Sequence, residues 1–93
     1  MAEVFINVPA LKQVTVKSKF HVEGSAVKQV MNNIEQQYPG FKAKLLDQNG
    51  KFQNYLVVAG WYASIKDYVL VTHPEDERED LIKLSIMIIS PGG

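Results

Sequence analysis

The sequence predicts an α+β fold, a mixed sheet of four to five strands with one main helix packed on one face. Three observations predict it. Apolar residues alternate with period two from Val4 to Val22, recur every three or four residues from Val27 to Tyr38, and then return to short β-rich runs. The chain has 93 residues, enough for one small core, so residues 1–89 read as one domain and 90–93 as a flexible tail ending in two glycines.

Val4, Ile6 and Val8 alternate with Glu3, Phe5 and Asn7, and Val14, Val16, Ser18, Phe20 and Val22 alternate with Thr15, Lys17, Lys19, His21 and Glu23. Pro9-Ala10-Leu11-Lys12 lies between the runs and is short enough to join antiparallel neighbours, so the chain is expected to open with a β-hairpin. Gly24-Ser25 breaks the second strand, with Ser25 placed as a helix N-cap. Val27, Val30, Met31, Ile34 and Tyr38 then form the apolar stripe of an amphipathic helix of about 13 residues, or about 20 Å. Tyr38-Pro39-Gly40 ends that helix. Phe41 to Leu46 adds a helical turn, and Asp47-Gln48-Asn49-Gly50 is a turn.

Three further strands are expected at Tyr55–Ala59, Asp67–Thr72 and Ile82–Ile89. The last is apolar on both faces towards its end, which suits a central position. The predicted order is β-β-α-β-β-β, with Val27, Val30, Met31 and Ile34 packing on Val4, Ile6, Ile86 and Ile88.

Composition excludes several classes of chemistry. The net charge is +0 and the basic residues are scattered, which argues against nucleic acid and anionic membranes as partners. The absence of Cys removes disulfides, thiolate metal sites and thiol nucleophiles. His21 and His73 stand alone, so no metal site is expected. No apolar run approaches a membrane span and no leader pattern opens the chain, so a cytoplasmic location is expected. No glycine spacing forms a phosphate-binding loop, so no cofactor is expected on this chain.

The ending Ser90-Pro91-Gly92-Gly93 is the most specific feature. Glycines without side chains let a tail enter a narrow channel, and Pro91 fixes one φ angle and limits the entropy lost on docking. A terminal carboxylate is ionised at neutral pH and must be activated before a nucleophile attacks it. From the tail alone, an inert glycine end is an equal reading.

The chain resembles the ubiquitin-like β-grasp sulfur carriers, the family of the small subunit of molybdopterin synthase and of the thiamine-biosynthesis sulfur carrier. The resemblance runs through Ile6-Asn7-Val8-Pro9-Ala10-Leu11, Val22-Glu23-Gly24 with Val27 and Val30, and Tyr38-Pro39-Gly40. It continues through Leu45-Leu46-Asp47 with Gly50-Lys51, and ends at Gly92-Gly93. It departs at Gly60-Trp61-Tyr62, where many relatives have a polar turn, at Glu79-Asp80-Leu81, and at Ser90-Pro91 before the diglycine.

The resemblance implies a last strand beside the first. It also implies a chain that is no enzyme but the substrate of one: an ATP-dependent adenylating partner of the ubiquitin-activating type acts on the Gly93 carboxylate and converts it to a thiocarboxylate. A sulfur-accepting biosynthetic enzyme is the second implied partner. Phe5, Met87 and Ile89 alternate away from the expected core and, with Ser90 and Pro91, form the expected partner-binding surface beside Gly92 and Gly93. The run Pro74 to Asp80 reads as a solvated acidic loop, or as a feature steering the chain towards a basic partner. Conjugation of Gly93 to a lysine of a target protein, and a plain interaction subunit, are the competing functions.

Overall fold

In the computed structural model, which describes residues 1–89, alternation in the first strand meets the sheet's two environments directly. Ala2, Val4 and Ile6 of β1 (Ala2–Asn7) are buried, while Glu3 and Phe5 face the other way. The next segment departs from the expected hairpin loop. Pro9 opens a helix, α1 (Pro9–Thr15), in which Leu11 and Thr15 are buried four residues apart. The Leu11 and Lys12 N–H groups both donate to the Val8 carbonyl at 3.0 Å. The 3–4 spacing of Val8, Leu11 and Thr15 therefore outweighs the local alternation of Val14 and Val16, and β2 is shortened to Lys19–Val22.

α1 ends under strain. Val16 has φ 66° and is 82% exposed, a conformation that costs a β-branched residue on the order of 1 kcal/mol or more. The buried Thr15 hydroxyl holds this turn by donating to the Lys17 carbonyl at 2.8 Å. Replacing Val16 with Gly is expected to raise stability by about 1 kcal/mol, because it relieves the φ angle and removes no buried contact. A denaturant midpoint that falls instead would show that the Val16 side chain packs in solution.

The amphipathic segment folds as α2 (Val27–Gln37), with Val27, Val30, Met31 and Ile34 buried as expected. Its start differs from expectation. Ala26 occupies the N-cap position, and Ser25 does not cap; instead the Gln29 side chain accepts from the Ser25 N–H at 3.0 Å, and the Ser25 hydroxyl donates to Glu79. The acidic loop closes this helix end. The Asp76 carbonyl accepts from the Lys28 N–H at 3.0 Å, and Lys28 Nζ lies 3.6 Å from Glu75 and 3.4 Å from Glu77.

Tyr38 ends α2, and Gly40, at φ 99°, turns the chain into α3 (Phe41–Leu45). Glu35 caps that short helix with both oxygens, accepting from the Gly40 N–H at 3.0 Å and the Lys42 N–H at 2.7 Å. These bonds hold its carboxyl below the usual range. A lowered folded pKa contributes stability above the unfolded value of 4.5 that is lost as pH falls through the lower one. Glu35→Gln, which keeps one acceptor oxygen, is expected to cost about 1 kcal/mol at neutral pH. The difference from wild type should shrink in melts below about pH 4.5, while a pH-independent difference would remove the linkage.

The turn at Asp47–Gly50 forms as expected, with Asp47 Oδ1 accepting from the Asn49 and Lys51 N–H groups at 2.8 and 3.0 Å. β3 (Leu56–Tyr62) runs on through Gly60-Trp61-Tyr62 rather than ending at Ala59. The reason is local packing. Tyr62 is buried, and a Cβ on Gly60 would stand 2.9 Å from both the Tyr62 ring and Leu81. β4 (Asp67–Leu70) and β5 (Leu81–Ile88) complete a five-stranded sheet of order β2-β1-β5-β3-β4.

β5 is central and parallel to β1, with Val4 beside Leu84 and Ile6 beside Ile86; its pairing with β3 and the outer pairs are antiparallel. One expected core residue is not in the core. Ile88 is 47% exposed because β1 stops at Asn7, opposite Met87, so Ile88 pairs with Leu56 on one side alone.

Candidate functional site: the open sheet face

The helices cover one face of the sheet, and registration fixes what the other presents. Directly paired residues share a face. One row across the strands runs Lys19, Phe5, Ser85, Ala59, Leu70; the row towards the start of β5 runs His21, Glu3, Lys83, Trp61, Tyr68; Asn7, Met87 and Val57 lie towards its end. Of the expected partner-binding residues, Phe5 and Met87 come together in one groove of about 290 Å³ with Ser85 and Tyr68. Phe5 is half-buried beneath Lys19, whose Nζ lies 5.5 Å from the ring centroid, and Met87 is 40% exposed.

Ile89 is set apart from that pair. It is 48% exposed, donates to the Tyr55 carbonyl at 2.8 Å, and lines a second groove of about 350 Å³ with Phe52, Val57 and Leu70. Val57, paired with Met87, links the two grooves. Ser90, Pro91, Gly92 and Gly93 lie outside the described residues.

The apolar face is broader than the three residues expected. Val57, Trp61, Tyr68 and Leu70 were missed because β3 and β4 were read as isolated runs, with no register to show which side chains join Phe5 and Met87. Leu70, at 64%, is among the most exposed large apolar residues described. Alternation within Asp67–Leu70 was the available signal.

Lysines border the Asn7 and Ile89 end of the strands, with Asp47 beside Lys51, while the Leu81 end mixes carboxylates with Lys66 and Arg78. Lys12 borders the Asn7 end of β1, Lys19 pairs beside Phe5, and Lys51 shares the groove of Ile89. Glu79 and Asp80 precede Leu81, and Asp67 pairs with Tyr62 at that same far end. The acidic loop therefore sits about 25 Å of strand away from Ile89, tied to α2, and not beside the chain's exit from the sheet. His21 lies 3.5 Å from Glu3, and among the described residues no three His, Asp or Glu side chains gather as metal ligands. Among the described residues no helix is long and apolar enough to cross a membrane. Burial pushes the Tyr62 hydroxyl above its ordinary pKa, with the Asp76 charge adding to the shift.

No family model and no curated protein sequence matches the chain. Solved structures do match its fold. The CysO chain of the BexX/CysO complex from Amycolatopsis orientalis superposes with a TM-score of 0.63 at 19% identity, covering 97% of this chain and 99% of that one. SAMP1 from Haloferax volcanii superposes with a TM-score of 0.61 at 14% identity, covering 99% and 98%. The fold is the ubiquitin-like β-grasp. At these identities the likeness lies in architecture: a helix held on one face of a mixed sheet whose first and last strands are parallel neighbours. The β-grasp accounts for the open face and for the last strand leaving from the middle of the sheet.

Proposed function

We propose that this chain is a sulfur carrier whose Gly93 carboxylate is adenylated by a partner with ATP and converted to a thiocarboxylate. The carrying observation is the central last strand of a β-grasp, which leads directly to Ser90-Pro91-Gly92-Gly93. Four residues span at most about 13–14 Å when extended, enough to enter a partner's pocket while the domain stays outside. ATP belongs to the partner, since this chain carries no phosphate-binding glycine loop. The open face around Phe5 and Met87, with Ile89 at its end, is the surface offered to the activating enzyme.

The chemistry follows from the carboxylate. In adenylation a carboxylate oxygen attacks the α-phosphate of ATP and pyrophosphate leaves; hydrosulfide then attacks the carbonyl carbon and AMP departs with that oxygen, which gives a terminal thiocarboxylate for transfer to a biosynthetic enzyme. The presence of CysO in a complex with BexX supports a role exercised through a partner protein. The test is intact-mass analysis after incubation with ATP, a sulfide donor and the activating enzyme. One terminal oxygen exchanged for sulfur is the expected product. An isopeptide to a target lysine would make the chain a protein modifier instead, and neither product would leave an interaction subunit.

A further inference from the structure

We propose that the outer edge of β4 is a pairing site for a second copy of this chain, the β4 strands of the two copies lying antiparallel and joining their sheets into one. The pairing does not rest on the sulfur-carrier reading.

Hydrogen-bond alternation fixes what that edge presents, because residue pairs of antiparallel strands are alternately bonded and non-bonded. The Val71 N–H donates to the Val58 carbonyl at 2.8 Å, and the Ile89 N–H donates to the Tyr55 carbonyl at 2.8 Å. Carried along the registers, the first bond makes Gly60 and Val69 a bonded pair, and the second directs Val57 and Ala59 towards β5. The two assignments agree. Tyr68 and Leu70 therefore turn their N–H and C=O groups away from β3, and β4 is the end of the sheet. Their side chains are 49% and 64% exposed, so this edge is apolar as well as outward-facing.

The opposite edge is built differently. The Ile6 N–H donates to the Ser18 carbonyl at 2.8 Å, so by the same alternation Lys19 and His21 present the outward groups of β2. Charged side chains, lysine above all, deter strand addition at such an edge. At β4 the guard is Asp67, whose carboxylate accepts from the outward Tyr68 N–H at 2.7 Å. It engages that donor and leaves the Leu70 side chain in the open.

The second copy is the complement of this edge. A two-fold axis through Val69 sets Tyr68 against Leu70 of the second copy and Leu70 against its Tyr68, which pairs every outward group of both strands. Other registers do worse. An axis at Tyr68 would bring Leu70 opposite Lys66, which sits in a turn at φ 59°. A shift of one position would set Tyr68 against Val69, from the opposite face. In the favoured register the apolar cross-strand pairs form twice, and each Asp67 must release the Tyr68 N–H. The strand has 4 residues, so the contact is far smaller than a permanent interface and the dimer exchanges rapidly. Phe5 and Met87, on β1 and β5, stay uncovered.

Translational diffusion of the whole chain, measured by NMR, tests this without any partner enzyme, so failure of sulfur loading and failure of pairing are separate results. Between about 50 μM and about 2 mM the mean mass should rise towards that of a dimer. Asp67→Ala should associate about 3-fold more tightly or better, because it frees the Tyr68 N–H. Leu70→Pro removes an outward donor and no bond to β3, so it should weaken association about 10-fold or more with an unchanged far-UV spectrum. Val69→Cys, in a chain with no other cysteine, should form a disulfide-linked dimer on mild oxidation, since a non-bonded pair on the axis sets its Cα atoms about 4.5 Å apart. Tyr68→Cys should not, its copies lying about 7–8 Å apart on the diagonal. Should Leu70→Pro misfold, the two cysteine variants decide. A wild type that stays monomeric at about 2 mM overturns the proposal. So does Asp67→Ala that associates no more tightly, or Tyr68→Cys that cross-links as readily as Val69→Cys.

Discussion

On the sulfur-carrier reading proposed above, deleting Gly93 is expected to abolish acceptance of the chain by an activating enzyme, a loss on the order of 100-fold or more in kcat/KM, with no change in unfolding temperature. The deletion moves the reacting carboxylate back by one residue, about 3.3–3.6 Å. Misplacing a reacting group by even ~1 Å costs about 100-fold when the pocket fixes its geometry. On the same reading, replacing Gly92 with Trp should act equally strongly for a different reason, since a bulky side chain would have to enter the narrow channel proposed for the tail. Stability should stay within about 0.5 kcal/mol of wild type, because the buried core is complete by Ile86. Pyrophosphate exchange measured with the truncated chain is the decisive assay. Undiminished exchange would make the diglycine incidental and return the chain to a plain interaction role.

Phe41→Ala should have the largest effect on stability, about 3–5 kcal/mol, a large share of the total for a domain this small. Phe41 is fully buried at the start of α3, in the core cluster that includes Leu45 and Ile34. Truncation leaves a void that the short helix must collapse into, and that helix is anchored by Glu35 on one side and by the 41–38 backbone bond on the other. At ~4 °C per kcal/mol, the melting midpoint should fall by about 12 °C or more. A loss below about 1 kcal/mol would mean that α3 rearranges freely and that Phe41 does not close the core.

Both predictions show what kind of information each level supplied. The chemistry proposed for the tail rests on residue type alone, a proline and two glycines at positions 91–93, which lie outside the described residues. The α2 stripe and the alternation of β1 and β5 were legible because a helix and a strand impose periods of 3.6 and 2 on whichever residues face the core. That is a local property, and Val27, Val30, Met31, Ile34, Val4, Ile6 and Ile86 were found from it.

Where two periods fit one segment, local reasoning chose wrongly. Val14 and Val16 alternate as in a strand, but Val8, Leu11 and Thr15 also fit a helix, and burial of the latter set decided the matter. Ser25 looked like a cap because serine at a helix start usually is one, yet its hydroxyl is engaged by Glu79, 54 residues away. Phe41, too, was read as part of a helical turn and not as core, although Leu45 four residues on was the available signal.

The open sheet face belongs to the same class. Phe5 and Met87 could be placed on the helix-free side from alternation, once the first and last strands were taken as neighbours. Their union with Val57, Tyr68 and Leu70, and the separation of Ile89 into its own groove, required the registers of β3, β4 and β5. Periodicity states which side of a strand is apolar; it is silent on which strand lies alongside. Strand pairing joins residues far apart in the chain, and a shift of one position would turn every side chain to the opposite face, so the site came into being only when the sheet closed.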